Sequence, residues 1–96
     1  MNKYVYIYYG SGEPTQEVMS AWTGWFEQIA GHIVDSGNPF GQAREVTRAQ
    51  TRELTADMHP ASGYTIVNAD TIDEAVKLLD GCPIIDSVRV YEAVSM

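Results

Sequence analysis

Six consecutive residues near the N-terminus, Tyr4-Val5-Tyr6-Ile7-Tyr8-Tyr9, constrain the fold more than any other segment. All six are aromatic or β-branched, and the run stops at Gly10-Ser11-Gly12, too short for a helix, so it predicts a strand over residues 4–9. Alternation puts Tyr4, Tyr6 and Tyr8 on one side and Val5, Ile7 and Tyr9 on the other. Neither side reads as a solvent face, so any sheet that contains this strand needs cover on both faces.

The next segment changes period. Pro14 and Thr15 open a helix, with Thr15 placed to accept an amide of the first turn and Glu17 near the positive end of the dipole. Apolar residues then recur at Val18, Trp22, Trp25, Phe26, Ile29 and Ile33, which predicts a helix over residues 15–34. Asp35-Ser36-Gly37-Asn38-Pro39 ends it, because glycine suits the left-handed position past a helix and proline cannot continue one. Across residues 42–48, Arg44, Val46 and Arg48 alternate with Glu45 and Thr47 as in a charged edge strand. Residues 50–62 are polar, contain His59-Pro60, lack a clear period and predict a loop.

Gly63-Tyr64-Thr65-Ile66-Val67-Asn68-Ala69 predicts a further strand. Thr71-x-x-Glu74 is a capping box, in which the threonine oxygen and the glutamate carboxylate each satisfy an otherwise unpaired amide. Ile72, Ala75, Val76 and Leu79 form the expected buried stripe of that helix, Asp80-Gly81-Cys82-Pro83 stops it, and residues 87–94 close the chain as a strand.

The order β, long α, β, β, short α, β over a single domain of residues 1–96 matches the split βαβ plan. The expected class is α+β: a ferredoxin-like βαββαβ fold whose four-stranded antiparallel sheet carries both helices on one face. Two helices leave the other face bare, and pairing it with the same face of a second copy closes a dimeric α+β barrel. A homodimer is therefore the expected assembly. Chain length agrees: 96 residues, 45% hydrophobic, allow one thin core that a partner would help.

Thirteen acidic against six basic side chains give a formal charge of −7, which repels nucleic-acid phosphates and anionic headgroups. No nucleic-acid role is expected. No apolar segment approaches the roughly 20 residues that span a bilayer, and no signal peptide is read at Lys3 and the strand after it, so no membrane role is expected. The single cysteine, Cys82, cannot form an internal disulfide, which favours a reducing, cytoplasmic setting.

Candidate chemistry is sparse. His32 and Asp35, three apart in the predicted helix, fall on one face, where a carboxylate could orient an imidazole for general-base work; a histidine in a last turn also simply suits the helix dipole. Trp22 and Trp25, with Phe26, concentrate aromatic area that lines a cleft or fills a core, and the two tryptophans point in somewhat different directions. His59, in the predicted loop, is a third acid/base candidate, and Asn38 and Tyr64 are ligand-binding candidates. Cys82 has no basic neighbour in sequence to lower its pKa and reads as packing. Gly10-Ser11-Gly12 lacks the third glycine and lysine of a phosphate-binding loop. The potential metal donors His32, Asp35, His59 and Cys82 fit no ligand spacing, so neither metal nor cofactor is expected. Arg44, Arg48 and Arg52 sit among Glu45, Glu53 and Asp57 and read as a solvated edge.

Taken together, the aromatic first strand, the tryptophan-bearing helix that runs into Ser36-Gly37-Asn38-Pro39-Phe40-Gly41, the run from Ser62 through Asp73-Glu74-Ala75 and the later Gly81-Cys82-Pro83 resemble the YCII-related proteins, including their DGPF subgroup. The resemblance covers nearly the whole chain. It implies a dimeric α+β barrel, in a family of small bacterial cytoplasmic proteins whose biochemistry is mostly unassigned. Some members carry a histidine early in the first helix and an aspartate before the proline that follows the second, proposed as an acid/base pair. Here the first position falls among Met19, Ser20 and Ala21, and the second is Cys82. The D-G-P-F motif is absent, with Asn38-Pro39-Phe40 a partial echo elsewhere. The resemblance thus carries the fold and not that catalysis.

Three functions are consistent with these readings. One is a homodimeric module that binds a small, partly apolar molecule between helices and sheet, with any chemistry limited to acid/base steps. Another is a non-catalytic accessory or interaction protein, and the third, by fold analogy alone, a cofactor-independent monooxygenase- or isomerase-like enzyme. An open cleft walled by Trp22 or Trp25 with a convergent polar group favours the first, and a filled interior the second.

Overall fold

The computed structural model describes residues 1–12 and 14–96. Glu13, which follows the predicted turn at Gly10-Ser11-Gly12, lies outside the described residues. The elements are β1 (Asn2–Tyr9), α1 (Gln16–Gln28), β2 (Ile33–Asp35), β3 (Arg44–Val46), β4 (Thr51–Glu53), β5 (Ala61–Ala69), α2 (Ile72–Lys77) and β6 (Ser87–Ala93). Single 3₁₀ turns occupy Ala30–His32 and Ala56–Met58.

Four strands form one antiparallel sheet in the order β2-β5-β1-β6. The two strands richest in β-branched and aromatic residues, β1 and β5, take the centre, which is the expected ferredoxin-like α+β arrangement. Register sorts the faces: Tyr4 opposes Val67, Tyr6 opposes Thr65 and Val90, and Tyr8 opposes Gly63 and Val88, all on the side that α1 and α2 cover. Val5 opposes Ile66 and Tyr91, and Ile7 opposes Tyr64 and Arg89, on the side that no helix covers.

The core lies between the tyrosine face and the helices. Tyr4, Tyr6, Trp25, Ile29, Val67, Ala69 and Ala75 are buried together, and the small residues among them make room for the indole of Trp25. Buried polar tips need partners, and these have them. The Tyr6 hydroxyl donates to the Ala75 carbonyl, and Trp25 Nε1 donates to the Leu78 carbonyl at 2.9 Å, so both tie their element to α2 and its last turn. Burial pushes the Tyr6 phenol up to about 12 and the Cys82 thiol up to about 12, which leaves Cys82 as neutral packing against the core.

Both threonine caps form, Thr15 Oγ1 accepting from Val18 N at 3.2 Å and Thr71 Oγ1 from Glu74 N at 3.1 Å, while the reciprocal Glu74 carboxylate bond of the capping box is not present among the described residues. The ends differ. The helix predicted over residues 15–34 stops at Gln28, because Ile29 leaves helical geometry, the chain makes a 3₁₀ turn through Gly31, and β-branched Ile33-Val34 then pair with β5 as the edge strand. Ile29 and Ile33 bury on the same side, which mimicked one more helical turn. On α2 the buried stripe is Ala75, Leu78 and Leu79; Ile72 and Val76 are about half exposed, because six residues present only one narrow face to the sheet.

The strand predicted over residues 42–48 shrinks to β3 and does not join the main sheet, since β2 already holds that edge. It pairs with β4, inside the segment expected to be a loop, as a separate hairpin with Arg44 opposite Glu53 and Glu45 opposite Arg52. Thr47 Oγ1 accepts from the amides of Ala49 and Gln50 and so closes the turn. Every residue of β3 and β4 is exposed, and the Arg52–Glu45 pair at 2.8 Å is a surface contact worth at most about 1 kcal/mol.

No helix among the described residues is long and apolar enough to cross a membrane.

Candidate functional site

A cleft of about 900 Å³ opens at the end of the sheet where β1 finishes and β5 begins, under the first half of α1. Residues 9–12 with Ile84, Ile85, Ser87 and Val88 form one rim of it, and the remaining walls come from three places. Trp22 and Phe26 descend from α1, Tyr8 and Thr65 rise from the central strands, and residues 36–40 with Tyr64 close the far side. A second, smaller depression of about 570 Å³ lies over the outward residues of α1, all of them exposed, and has no enclosing walls.

The aromatic walls form two groups, one with Trp22 under the helix and one with Tyr64 on the other side of the sheet end. The Tyr8 ring meets Trp22 edge-on at 5.1 Å between centroids, Trp22 lies 5.9 Å from Phe26, and Phe40 stacks on Tyr64 at 5.6 Å with planes 19° apart. Helical spacing of four sets Trp22 and Phe26 over one another. The Phe40–Tyr64 stack depends on how the 36–40 segment is held. Gly37 has φ +79°, and a Cβ there would stand 1.7 Å from the Tyr64 carbonyl oxygen, so only glycine lets the segment run flat against β5. Asp35 Oδ1 accepts from Gly37 N at 2.9 Å, Phe40 N donates to the Ser62 carbonyl at 2.8 Å, and Pro39 bridges to Gly63.

Hydroxyls of the lining residues are hydrogen-bonded to the protein. The Tyr8 hydroxyl donates to Thr65 Oγ1 at 2.8 Å, Thr65 Oγ1 donates to the Ser36 carbonyl at 2.9 Å, and the Tyr64 hydroxyl donates to Asp35 Oδ2 at 3.3 Å. Burial pushes the Tyr8 phenol well above its ordinary value, against the opposing effect of Thr65. Apart from tyrosine phenols, no ionisable side chain is among the described residues that line the cleft. The site is therefore neutral and amphipathic.

Of the candidates raised by the sequence, Trp22, Asn38 and Tyr64 line this cleft, while Trp25 lies behind the wall as core, 5.8 Å from Trp22. The three acid/base candidates are not among its lining residues. His32 and Asp35 do not share a helix face, because the helix has ended before either: the His32 ring Nδ1 donates to the Asn68 carbonyl at 3.0 Å, and Asp35 sits on the edge strand holding Gly37 and Tyr64. His59 stands exposed in a left-handed conformation, φ +50°, at the end of the Ala56–Met58 turn. Beside it the Thr55 hydroxyl donates to Asp57 and holds that carboxyl below its ordinary range. No group of three or more His, Cys, Asp or Glu that could hold a metal occurs among the described residues.

Tyr8, Thr65 and Phe40 are site residues that sequence reasoning did not select. Parity put Tyr8 on the same sheet face as Tyr4 and Tyr6, and its place at the end of β1 was the available signal that it would meet a cleft rather than the core.

No family model matches the sequence, and no curated protein matches it. Among solved structures the chain is similar in fold to the 5-chloro-2-hydroxyhydroquinone dehydrochlorinase from Burkholderia phenoliruptrix AC1100, solved in complex with 2,5-dihydroxybenzoquinone. The likeness covers 95% of this chain and 91% of that one at a TM-score of 0.51 and 16% identity, which is a likeness of fold.

Proposed function

We propose that this chain is a homodimeric module, of the YCII-related kind, that binds a small, uncharged, partly apolar molecule in the cleft under Trp22. The observation that carries this reading is the cleft itself: open, walled by Trp22, Phe26, Phe40 and Tyr64, and floored by hydroxyls. Sites of a few hundred to a thousand Å³ with apolar walls and a few placed polar groups are how small ligands are bound. A non-catalytic interaction module has no use for such a void. The dehydrochlorinase of similar fold, which was solved with a small ring compound bound, lends support.

The pairing rests on the bare sheet face, where Val5, Ile7 and Ile66 form an apolar centre and Lys3, Asn68 and Arg89 a polar rim, the anatomy of an interface. Acid/base chemistry in the cleft falls to tyrosine hydroxyls, since His32, Asp35 and His59 do not line it. The proposed setting is a bacterial cytoplasm, on the family resemblance and the unpaired Cys82.

The two tryptophans supply the test. In a ¹⁵N-labelled sample titrated with toluene, the indole N–H signal of Trp22, which lines the cleft, is expected to move, whereas that of Trp25, bound to the Leu78 carbonyl, stays put. Saturable movement of Trp22 alone supports ligand binding in the cleft. No movement, or equal movement of both indoles, overturns it.

A further inference from the structure

Five hydroxyls of the cleft lining give their protons to the protein. A main-chain carbonyl can only accept, so the single proton of Thr65 goes to the Ser36 carbonyl, 2.9 Å away. The Thr65 oxygen is thereby left to accept, and the single proton of Tyr8 goes to it at 2.8 Å. The relay has one direction, outward from the cleft to the backbone. Around it the pattern repeats: Tyr64 gives its proton to the Asp35 carboxylate, Ser62 to the Tyr8 carbonyl at 3.1 Å, and Thr23 to the Met19 carbonyl at 3.0 Å. All five of these residues line the cleft, and each has spent its donor on the protein.

What Tyr8 and Thr65 are left with is oxygen lone pairs, and that of Tyr8 is free of any donor among the described residues. The burial-raised pKa of Tyr8 keeps the phenol protonated, so the relay holds at neutral pH. We infer that the cleft, if it is the binding site proposed above, selects a neutral aromatic ligand that brings its own hydrogen-bond donor, a ring hydroxyl or N–H, to the Tyr8 oxygen. At the Tyr8 oxygen, a ligand offering only an ether, ketone or carboxylate oxygen would set lone pair against lone pair. No Lys, Arg or His among the described lining residues offsets a negative charge, and the chain carries a formal −7.

Phenol and anisole separate the two ideas, because they share a ring and differ in whether the oxygen carries a proton. With the Trp22 indole signal as readout, phenol is expected to bind the full chain roughly three- to tenfold more tightly than anisole, the worth of one hydrogen bond. Tyr8→Phe is expected to make the two equal. Thr65→Val, which frees the Tyr8 proton to meet an ether oxygen, is expected to narrow the gap through a gain by anisole, and it keeps the test open if the first variant folds poorly. Equal binding of phenol and anisole by the unaltered chain, with toluene also bound, overturns the donor requirement and leaves the cleft as a binding site. Failure of all three rings to move Trp22 overturns both.

Discussion

The two faces of the sheet are cut from the same strands, yet one is covered by helices and the other is bare. Tyr4, Tyr6 and Tyr8 went under the helices; Val5, Ile7 and Ile66 did not. On the covered side the ring tips of Tyr6 and Tyr8 find partners. A buried tyrosine needs an acceptor at a fixed distance from its strand, and the helix layer supplies one in the Ala75 carbonyl, while Thr65 supplies another for Tyr8. Aliphatic side chains make no such demand and can be covered by any apolar surface, including another copy of themselves. The face of Tyr4, Tyr6 and Tyr8 thus finds its cover within the chain, and the face of Val5, Ile7 and Ile66 finds none there. The dimensions, 41 × 40 × 18 Å, are those of a slab with one layer of helix on one layer of sheet.

The largest effect expected from breaking the sealed face comes from Trp25. Its indole is buried, stands 6.2 Å from the Tyr6 ring and holds the Leu78 carbonyl, so Trp25→Ala leaves a cavity and an unpaired acceptor together. A loss of about 3–5 kcal/mol is expected, enough to unfold most of a domain this small. Urea denaturation followed by circular dichroism measures it, and a loss below about 1 kcal/mol would show that the tyrosine face is not the core.

A smaller effect follows from pH on the same face. Tyr6 is held at about 12 in the folded chain, and Tyr8 is raised as well, against about 10 for a tyrosine in an unfolded chain. The folded state binds these protons more tightly, so the stability they contribute is complete below about pH 10 and disappears as pH rises through about 12. Urea midpoints measured from pH 8 upward are expected to be level and then fall steeply across that window. Tyr6→Phe, which has no proton to lose there, is expected to show a shallower fall, and an equally steep one would remove Tyr6 as the cause.

These contrasts were only partly legible in the residues. Parity alone placed Tyr4, Tyr6 and Tyr8 on one side and Val5, Ile7 and Tyr9 on the other, and the main strands, threonine caps and element order followed from local pattern. Which side the helices would take was not readable, because it depends on where Ala75 and Leu78 present their carbonyls, a tertiary fact. The end of α1 was misread for a related reason: Ile29 and Ile33 satisfy a helical period and an edge strand equally well, and pairing with β5 decided between them. That error moved His32 and Asp35 off a shared face and removed the acid/base pair. The cleft was legible in part, through Trp22, Asn38 and Tyr64. Its hydroxyl relay was not, since Tyr8, Thr65 and Ser36 meet across 57 and 29 residues of chain and no short-range pattern marks them.

The bare face offers the mildest perturbation of the fold and the sharpest test of the comparison. Ile7 sits at its centre between Tyr64 and Arg89, facing away from both helices. Ile7→Asp removes nothing from the tyrosine core, so the cost to the single chain is expected to stay near 1 kcal/mol, the span of strand preferences. Buried in a face-to-face pair, however, two such carboxylates would have to be desolvated together with the Arg89 side chains beside them, a cost that pairing of the ions does not reliably repay. By sedimentation equilibrium at micromolar concentration the unaltered chain is expected at twice its 10.6 kDa mass and Ile7→Asp at the single-chain mass, with the same circular dichroism spectrum. If the unaltered chain already sediments as one copy, the aliphatic face is covered by something other than itself, and the division of labour between the two faces needs a different partner.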